Sequence, residues 1–327
     1  MSFSKTIVIT GGAGFIGSHV VRLFLNKYPD YRIVNVDALT YAGNLENLKD
    51  VEDSKNYIFS KTDITNAKAI EKLFKKYAID GVIHLAAESH VDRSIADPLS
   101  FINTNVIGTA TLLNAAREHL KNFPEKKDFR FYHVSTDEVY GESMLDSQEK
   151  KNENSILSPT NPYAATKASA ELIAKSYYYS FKMPIIITRG NNVYGPNQYP
   201  EKLIPRFIKL LNENKKVTIQ GDGTNVRGFL HVNDVIRAVN LILEKGEIGE
   251  IYNIGSDDHH EYSVTEIAHK LISLIKPNEK CDDWIEYIED RPFNDKRYYI
   301  SNNKVKELGW TIDIDFEDGL LNLVEGI

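Results

Sequence analysis

A glycine-rich turn close to the N-terminus is the feature that most limits how this chain can fold. A short apolar strand is predicted at residues 6–10, followed by the turn GGAGFIG at residues 11–17 and then by a helical pattern. Gly11 permits the tight turn, Gly14 lets the backbone approach a pyrophosphate, and Gly17 allows the helix to pack closely. Because glycines also mark ordinary turns, this G-x-x-G-x-x-G spacing indicates nucleotide binding only together with its surroundings.

The surroundings of the turn are those of a dinucleotide site. A second strand is predicted at residues 32–36 and ends in Asp37, twenty residues beyond Gly17. A carboxylate at that point accepts hydrogen bonds from both ribose hydroxyls of an adenosine and repels a 2′-phosphate. The sequence therefore predicts NAD, rather than NADP, as the cofactor.

Predicted strands and helices alternate through the N-terminal half of the chain. Further strands are predicted at residues 57–60, 81–85, 129–134 and 185–188, and helices at residues 66–77, 97–120 and 163–181. Repeated crossovers of this kind predict an α/β fold, a Rossmann-type doubly wound parallel sheet with helices on both faces. We expect residues 1–188 to form the NAD-binding domain, which regains a strand and a helix from residues 217–245. Residues 189–327 are expected to form a smaller, mixed α/β and discontinuous lobe that binds the substrate.

Two short motifs carry groups suited to acid–base chemistry. Thr136, Asp137 and Glu138 follow a predicted strand, and open α/β sheets bind ligands at the carboxyl ends of their strands. Tyr163 and Lys167 are four residues apart on a predicted helix, so they share one face. Either motif alone is more often structural. Beside a nucleotide-binding turn, they predict one catalytic site with a hydroxyl, two carboxyls, a phenol and an ammonium group.

The composition argues against several classes of protein. The formal net charge is −7 and no run of Lys or Arg is present, so nucleic acid is not an expected partner. Cys281 is the only cysteine, which predicts neither a disulfide nor a metal site. No apolar run approaches the ~18 residues of a membrane span, and a strand begins too early to leave room for a signal peptide. We therefore expect a cytoplasmic protein without a membrane segment.

The second half of the chain carries candidate substrate ligands. Residues 189–200 are rich in Gly, Asn, Pro and Tyr, a composition typical of a ligand-binding loop and also of a polar connector. Arg227 and Arg291 lie in or beside predicted turns, where bidentate contact to a diphosphate is geometrically reasonable.

The subunit arrangement is predicted from two helices. The helices at residues 97–120 and 163–181 are apolar over more than one stripe, which exceeds what one face of a sheet covers. We expect a homodimer formed through them.

The chain resembles the extended short-chain dehydrogenase/reductases, and among them most closely the nucleoside-diphosphate-glucose 4,6-dehydratases. The resemblance covers nearly the whole chain. The matching segments include GGAGFIGS, VDALTYAGN, HLAAESHVDRS, TNVIGT, STDEVYG, NPYAATKA, NVYGPNQYPEKLIP, YNIG and DRPFNDKRY. The glycine turn and the pair Tyr163 and Lys167 are shared by the superfamily. Thr136-Asp137-Glu138 and PEKLIP are specific to the dehydratases.

The resemblance implies a reaction in three stages. Tyr163, acidified by Lys167, removes the proton of the sugar 4-hydroxyl while a hydride passes from C4 to NAD, and Thr136 hydrogen-bonds the same oxygen. Glu138 then removes the C5 proton while Asp137 protonates the departing 6-hydroxyl. The hydride finally returns to C6, so that net redox is zero.

The resemblance also implies which residues contact the ligands. The cofactor contacts are expected to be Gly11, Gly14, Phe15, Ile16, Gly17, Asp37, Asp63, Ile64, Ala86, Ala87, Tyr163 and Lys167. The substrate contacts are expected to be Ser89, Asn192, Lys202, Leu203, Arg227 and Arg291. From position alone, Asp63, Ile64, Ala86 and Ala87 suit loop and packing roles equally well.

Several alternatives remain open at this stage. The segment RGNNVYGPNQYPEK, with Val193, is similar to the UDP-glucose dehydratases of plant rhamnose synthesis rather than to the bacterial dTDP-linked enzymes, so UDP and dTDP are both possible nucleotides. A UDP-GlcNAc 4,6-dehydratase is a further possibility. The other enzyme alternative is a UDP-sugar 4-epimerase or decarboxylase, and the pair Asp137 and Glu138 argues against it. An NAD-binding regulatory protein is the non-enzyme alternative, and intact Tyr163 and Lys167 argue against that.

Overall fold

Parallel β-strands form the centre of the protein, described by a computed structural model that covers residues 3–326. In chain order the strands are β1 (Lys5–Thr10), β2 (Tyr31–Asp37), β3 (Tyr57–Lys61), β4 (Gly81–His84), β5 (Arg130–Thr136), β6 (Ile185–Gly190), β7 (Asn192–Tyr194), β8 (Val217–Gln220), β9 (Val226–His231), β10 (Ile251–Ile254), β11 (Glu261–Ser263) and β12 (Ile285–Ile288). Seven of them make one sheet in the order β3-β2-β1-β4-β5-β6-β10, and all neighbours are parallel.

Helices cover both faces of this sheet. The helices are α1 (Phe15–Lys27), α2 (Ala67–Lys76), α3 (Val91–Ala96), α4 (Pro98–Phe101), α5 (Thr109–Asn122), α6 (Pro162–Phe181), α7 (Leu203–Asn212), α8 (Val232–Lys245), α9 (Val264–Ile275), α10 (Asn303–Glu307) and α11 (Phe316–Glu325). Residues of α1 and α8 share one buried cluster, and residues of α2, α5 and α6 share another. Within β1, Ile7 and Ile9 belong to the first cluster and Val8 to the second. The Rossmann-type fold predicted from the sequence is therefore confirmed.

A smaller lobe stands at the carboxyl edge of the large sheet. It contains a three-stranded sheet in the order β11-β9-β7 and a two-stranded sheet of β8 and β12. A separate apolar cluster, which includes Phe207, Leu271 and Phe316, fills its interior. The lobe thus has its own core, and it faces the carboxyl ends of the strands of the large sheet.

The strand that returns to the large sheet is not the one predicted. Residues 217–220 form β8, which pairs with β12 in the lobe, whereas β10 pairs with β6 at the edge of the large sheet. All four residues of β10 are buried, as a strand covered on both faces requires, while β8 alternates between buried and half-buried residues. The predicted returning helix is present as α8, which packs against α1.

The predicted helix at residues 97–120 is interrupted. It begins at Pro98 with Asp97 as N-cap, passes through a π-helical segment at Ile102–Gly108, and continues as α5. Inside the π-helical segment, the buried Asn105 donates from Nδ2 to Thr166 Oγ1 on α6 at 2.9 Å. A widened turn of this kind is frequent at functional sites, and here it ties this helix to the one that carries Tyr163.

Candidate active site

Nearly all the predicted site residues line one cavity, which lies between the large sheet and the lobe. Its volume is about 970 Å³. The predicted residues on its wall are Gly11, Gly14, Phe15, Ile16, Gly17, Asp37, Asp63, Ile64, Ala86, Ala87, Ser89, Thr136, Glu138, Tyr163, Lys167, Asn192, Lys202, Leu203, Arg227 and Arg291. Asp137 is the exception, because it lies behind the wall and is 2% exposed. Residues separated by up to 280 positions in the sequence thus line the same cavity, as Gly11 and Arg291 do.

The glycine turn forms one end of the cavity and leaves no space for side chains. Gly11 has a φ of +72°, and a Cβ there would lie 2.7 Å from the Ala86 nitrogen. A Cβ at Gly17 would lie 2.0 Å from the Gly11 oxygen, and one at Gly14 would lie 3.2 Å from it. The exposed main chain at the start of α1 therefore suits a pyrophosphate, and this end of the cavity fits NAD.

Asp37 stands beside this turn with its carboxylate already oriented. It accepts hydrogen bonds from the Ala13 nitrogen at 3.0 Å and the Leu39 nitrogen at 2.8 Å. Burial raises the pKa of Asp37, and these two hydrogen bonds oppose that rise. Each oxygen keeps a free lone pair, so the carboxylate fits the ribose hydroxyls of an adenosine.

Tyr163 and Lys167 project from the first turns of α6. Asn161 caps this helix by accepting from the Ala164 nitrogen, and Pro162 occupies its first position. The Lys167 ammonium is 5% exposed and donates to the Val134 oxygen on β5 at 2.5 Å. Burial lowers the pKa of Lys167 to about 8, so the amine stays mainly cationic at neutral pH.

The phenol of Tyr163 stands in a negatively charged environment. Burial raises the pKa of Tyr163, and the charges of Glu138 and Asp137 raise it further. A hydrogen bond with the Thr136 hydroxyl opposes the rise in pKa. The phenol therefore needs nearby positive charge to act as a base, and Lys167 lies one helical turn further along α6.

Asp137 and Glu138 have different surroundings although they are adjacent in the sequence. Burial and the neighbouring Glu138 charge raise the pKa of Asp137 to about 7. Asp137 accepts from Asn191 Nδ2 at 2.5 Å and from the Thr136 hydroxyl at 3.1 Å. Burial also raises the pKa of Glu138, which accepts from Asn161 Nδ2 at 3.0 Å. Asp137 is thus suited to hold a proton near neutral pH, while Glu138 faces the cavity.

Sequence reasoning missed the residues that hold these two carboxyl groups. Asn191 also accepts from the Ser256 nitrogen at 2.8 Å, so it is fixed by two separate elements. The signal for Asn161 was its place as the N-cap of a predicted helix, which showed a structural role but not its contact with Glu138. For Asn191 the loop sequence gave no signal that separated it from Asn192, and both residues line the cavity.

Most of the predicted substrate residues belong to the lobe, whereas Ser89 lies in the loop after β4. Lys202 Nζ donates to the Ser89 oxygen at 2.8 Å and so links the lobe to the loop after β4. Arg291 donates from Nη2 to Gln220 Oε1 at 2.8 Å, and its Nε lies 3.3 Å from the carboxylate of Asp92. The charges of Lys202 and Arg227 act on Glu138 and lower its pKa.

Comparison with known proteins gives consistent relatives over the whole chain. The family model described as GDP-mannose 4,6 dehydratase matches residues 8–323. The chain is 45% identical over 327 residues to a dTDP-D-glucose 4,6-dehydratase of Mus musculus, covering 99% of this chain and 89% of that protein. It is also 45% identical, over 98% of its length, to a trifunctional UDP-glucose 4,6-dehydratase/UDP-4-keto-6-deoxy-D-glucose 3,5-epimerase/UDP-4-keto-L-rhamnose-reductase of Arabidopsis thaliana, of which it spans 47%.

A solved structure has the same overall fold. The crystal structure of dTDP-glucose 4,6-dehydratase from Streptomyces venezuelae, with NAD bound, superposes with a TM-score of 0.89 at 39% identity. The match covers 98% of this chain and 96% of that chain. Within residues 3–326, no helix is long and apolar enough to cross a membrane.

Proposed function

The chain belongs to the GDP-mannose 4,6 dehydratase family, and from this we propose that it converts an NDP-glucose, with UDP or dTDP as the nucleotide, into the NDP-4-keto-6-deoxyglucose and water. The protein is an NAD-dependent hydro-lyase. The observation that carries the proposal is the pair of carboxyl groups beside Tyr163. Asp137 has a pKa raised by burial to about 7, and Glu138 opens onto the cavity.

Tyr163 is proposed as the base for oxidation at C4. NAD would be held by the glycine turn and Asp37, and when bound it would supply the acceptor for the C4 hydride and its return to C6. The buried Lys167 ammonium favours the phenolate electrostatically, and Thr136 holds the 4-oxygen that loses its proton. With the C4 carbon oxidised to a ketone, the proton on C5 becomes acidic.

Elimination across C5 and C6 needs a second base and an acid. Glu138 takes the C5 proton, and Asp137 donates its proton to the departing 6-hydroxyl, which leaves as water. Asp137 lies behind the wall and accepts a hydrogen bond from the hydroxyl of Thr136, which itself lines the cavity. A 4-epimerase needs neither this acid nor this base, and the two carboxyl groups therefore favour the dehydratase.

Arg227 and Arg291 are proposed to bind the diphosphate. Both belong to the lobe and line the cavity. Arg227 is held by main-chain oxygens, because its Nη2 donates to the Asp295 carbonyl at 2.7 Å and its Nη1 donates to the Val226 carbonyl at 2.8 Å. Asn192, Lys202 and Leu203 are proposed to contact the nucleotide sugar.

The protein is proposed to be a homodimer. Apolar side chains project outward from the segment at residues 98–122 and from α6: Leu99, Ile102, Ile107, Leu172, Tyr179 and Phe181. An exposed apolar surface of this kind is stabilised when a second copy covers it. Light scattering at micromolar concentration tests this, and a monomer would contradict it.

The protein is further proposed to act in the cytoplasm. Its single cysteine, Cys281, forms no disulfide within residues 3–326, which suits a reducing compartment. Fractionation of cells that express the protein tests this proposal. Recovery of the protein in an extracellular or periplasmic fraction would contradict it.

The function is tested by incubating the protein with UDP-glucose, dTDP-glucose and UDP-GlcNAc in the presence of NAD. Mass spectrometry should show the loss of one water from UDP-glucose, dTDP-glucose or both. In D₂O, deuterium should appear at C5 of the product, while C6 receives the hydrogen that began on C4. A C4 epimer with no loss of water would contradict the dehydratase and favour the epimerase.

A further inference from the structure

A buried carboxyl group that the reaction above does not use lies behind Glu138. Asp295 is 3% exposed and lies in the segment between β12 and α10. Its two oxygens accept from the Thr160 hydroxyl at 2.7 and 2.8 Å, and one of them also accepts from the Tyr298 hydroxyl at 2.5 Å. The carboxyl group is therefore fixed in place, although it does not itself contact Glu138 through a hydrogen bond.

The Tyr298 hydroxyl lies between the two carboxyl groups. Its oxygen is 2.5 Å from Asp295 Oδ2 and 3.5 Å from Glu138 Oε2. A phenol has one proton to donate, and the shorter contact takes it. The lone pairs of the phenolic oxygen then remain for Glu138. An ionised carboxylate cannot donate to them, but a protonated one can.

We propose that Asp295 is a positioning residue for the C5 proton transfer, because it holds the Tyr298 hydroxyl ready to accept a hydrogen bond from protonated Glu138. The inference rests on the dehydratase function proposed above. When the C5–H bond breaks, its proton goes to Glu138 and its electron pair forms the C5–C6 double bond, while the C6–O bond breaks and the oxygen leaves as water with the proton of Asp137. The acceptor at Tyr298 stabilises the protonated product of this step and so makes Glu138 a stronger base.

The other groups around Glu138 also change its pKa, and some of them make it a weaker base. Burial raises the pKa of Glu138, and the Asn161 hydrogen bond and the charges of Arg227 and Lys202 lower it. The charge of Asp295 acts in the raising direction. The titratable and charged groups that face Glu138 are Asp137, Tyr163, Lys202, Arg227, Asp295 and Tyr298. Arg227 and Lys202 lower the pKa of Glu138, and Asp295 opposes this effect in two ways. Its own charge raises that pKa, and it orients the Tyr298 hydroxyl so that the phenolic oxygen can accept from Glu138.

The test is the pH dependence of water loss in Asp295→Asn. An asparagine amide donates to the Tyr298 oxygen, so the hydroxyl proton turns toward Glu138 and favours its ionised form. The acid limb of the rate profile should move to lower pH by about one unit or more, and the maximal rate should fall about 10-fold. The C4 oxidation step should be unchanged. A variant that only raises KM and leaves the acid limb in place would overturn the proposal.

Tyr298→Phe and a double variant keep the test decisive should Asp295→Asn fail to fold. Tyr298→Phe removes only the hydroxyl and should move the acid limb in the same direction. In the double variant Tyr298→Phe/Asp295→Asn, the acid limb should move further only by the smaller amount that comes from removing the charge of Asp295. An acid limb in Tyr298→Phe that matches the wild type would overturn the proposal.

Asp290→Asn is the matched control. Asp290 lies in the same segment and is exposed, and its carboxylate bonds the Arg291 nitrogen and Asn294 rather than Tyr298. Its pH profile should match that of the wild type, and an equal shift there would show a general charge effect and overturn the positioning role. Wild-type protein that loses no water from either NDP-glucose would instead overturn the proposed function, which distinguishes the two failures.

Discussion

The two ends of the cavity are built in different ways. The cofactor end is made mostly of main chain from one continuous stretch, in which Gly11 and Gly17 leave no space for a Cβ and Gly14 leaves little. The catalytic end is made of side chains from β5, α6 and the lobe, and their properties depend on burial and on one another's charge. The cofactor end is therefore sensitive to shape, and the catalytic end to the position of single protons.

The largest effect is expected at Tyr163. Tyr163→Phe removes the base for C4 oxidation, so turnover should fall by about 10⁴-fold, the upper end for a general base. Because the phenol contributes little to binding at the glycine turn, the Kd for NAD should change little. Steady-state kinetics and calorimetry measure the two quantities. Near-normal turnover would show that another group is the base.

Glu138→Gln should divide the reaction into its stages. The amide keeps the size and the hydrogen bonding of Glu138 but cannot accept the C5 proton, so water loss should fall by about 10³-fold. Oxidation at C4 should survive. Mass spectrometry after borodeuteride trapping should detect a 4-keto hexose that retains its 6-hydroxyl. Dehydration at the wild-type rate would contradict the assigned role.

The alkaline limb of the pH–rate profile for water loss should reflect the deprotonation of Asp137. Its pKa is raised by burial to about 7, so the protonated acid is present below that pH and lost above it. The rate should therefore fall by about tenfold per pH unit as the pH rises beyond 7. Asn191→Ala removes a hydrogen bond that lowers the pKa of Asp137, so it should move this alkaline limb to higher pH. An alkaline limb that does not move would assign it to another group.

The smallest effect is expected at the cofactor end. Asp37→Ala removes a charged acceptor of the ribose hydroxyls, so the Kd for NAD should rise by about 10-fold, and NADP should be rejected less strongly. Fluorescence titration with both dinucleotides measures this. Unchanged discrimination against NADP would show that Asp37 does not contact the ribose.

The same contrast explains what could be predicted from the sequence. The glycine turn and the capped start of α6 were predictable because their conformation depends on neighbouring residues. The contacts of Asn161 with Glu138 and of Thr160 with Asp295 were not, since the latter pair is separated by 135 positions. The sequence also predicted Asp137 in the catalytic site, but not its burial behind the cavity wall, where it is bonded by Asn191.

The returning strand β10 has a consequence for attempts to divide the protein. A fragment that ends at residue 188 would lack both β10 and α8. It would leave the hydrogen-bonding edge of β6 open and the apolar face of α1 in water, including Val21 and Phe24. Such a fragment is expected to aggregate rather than bind NAD by itself. The chain passes from one unit to the other more than once, so the cofactor unit and the lobe form a single cooperative structure that no one cut can separate.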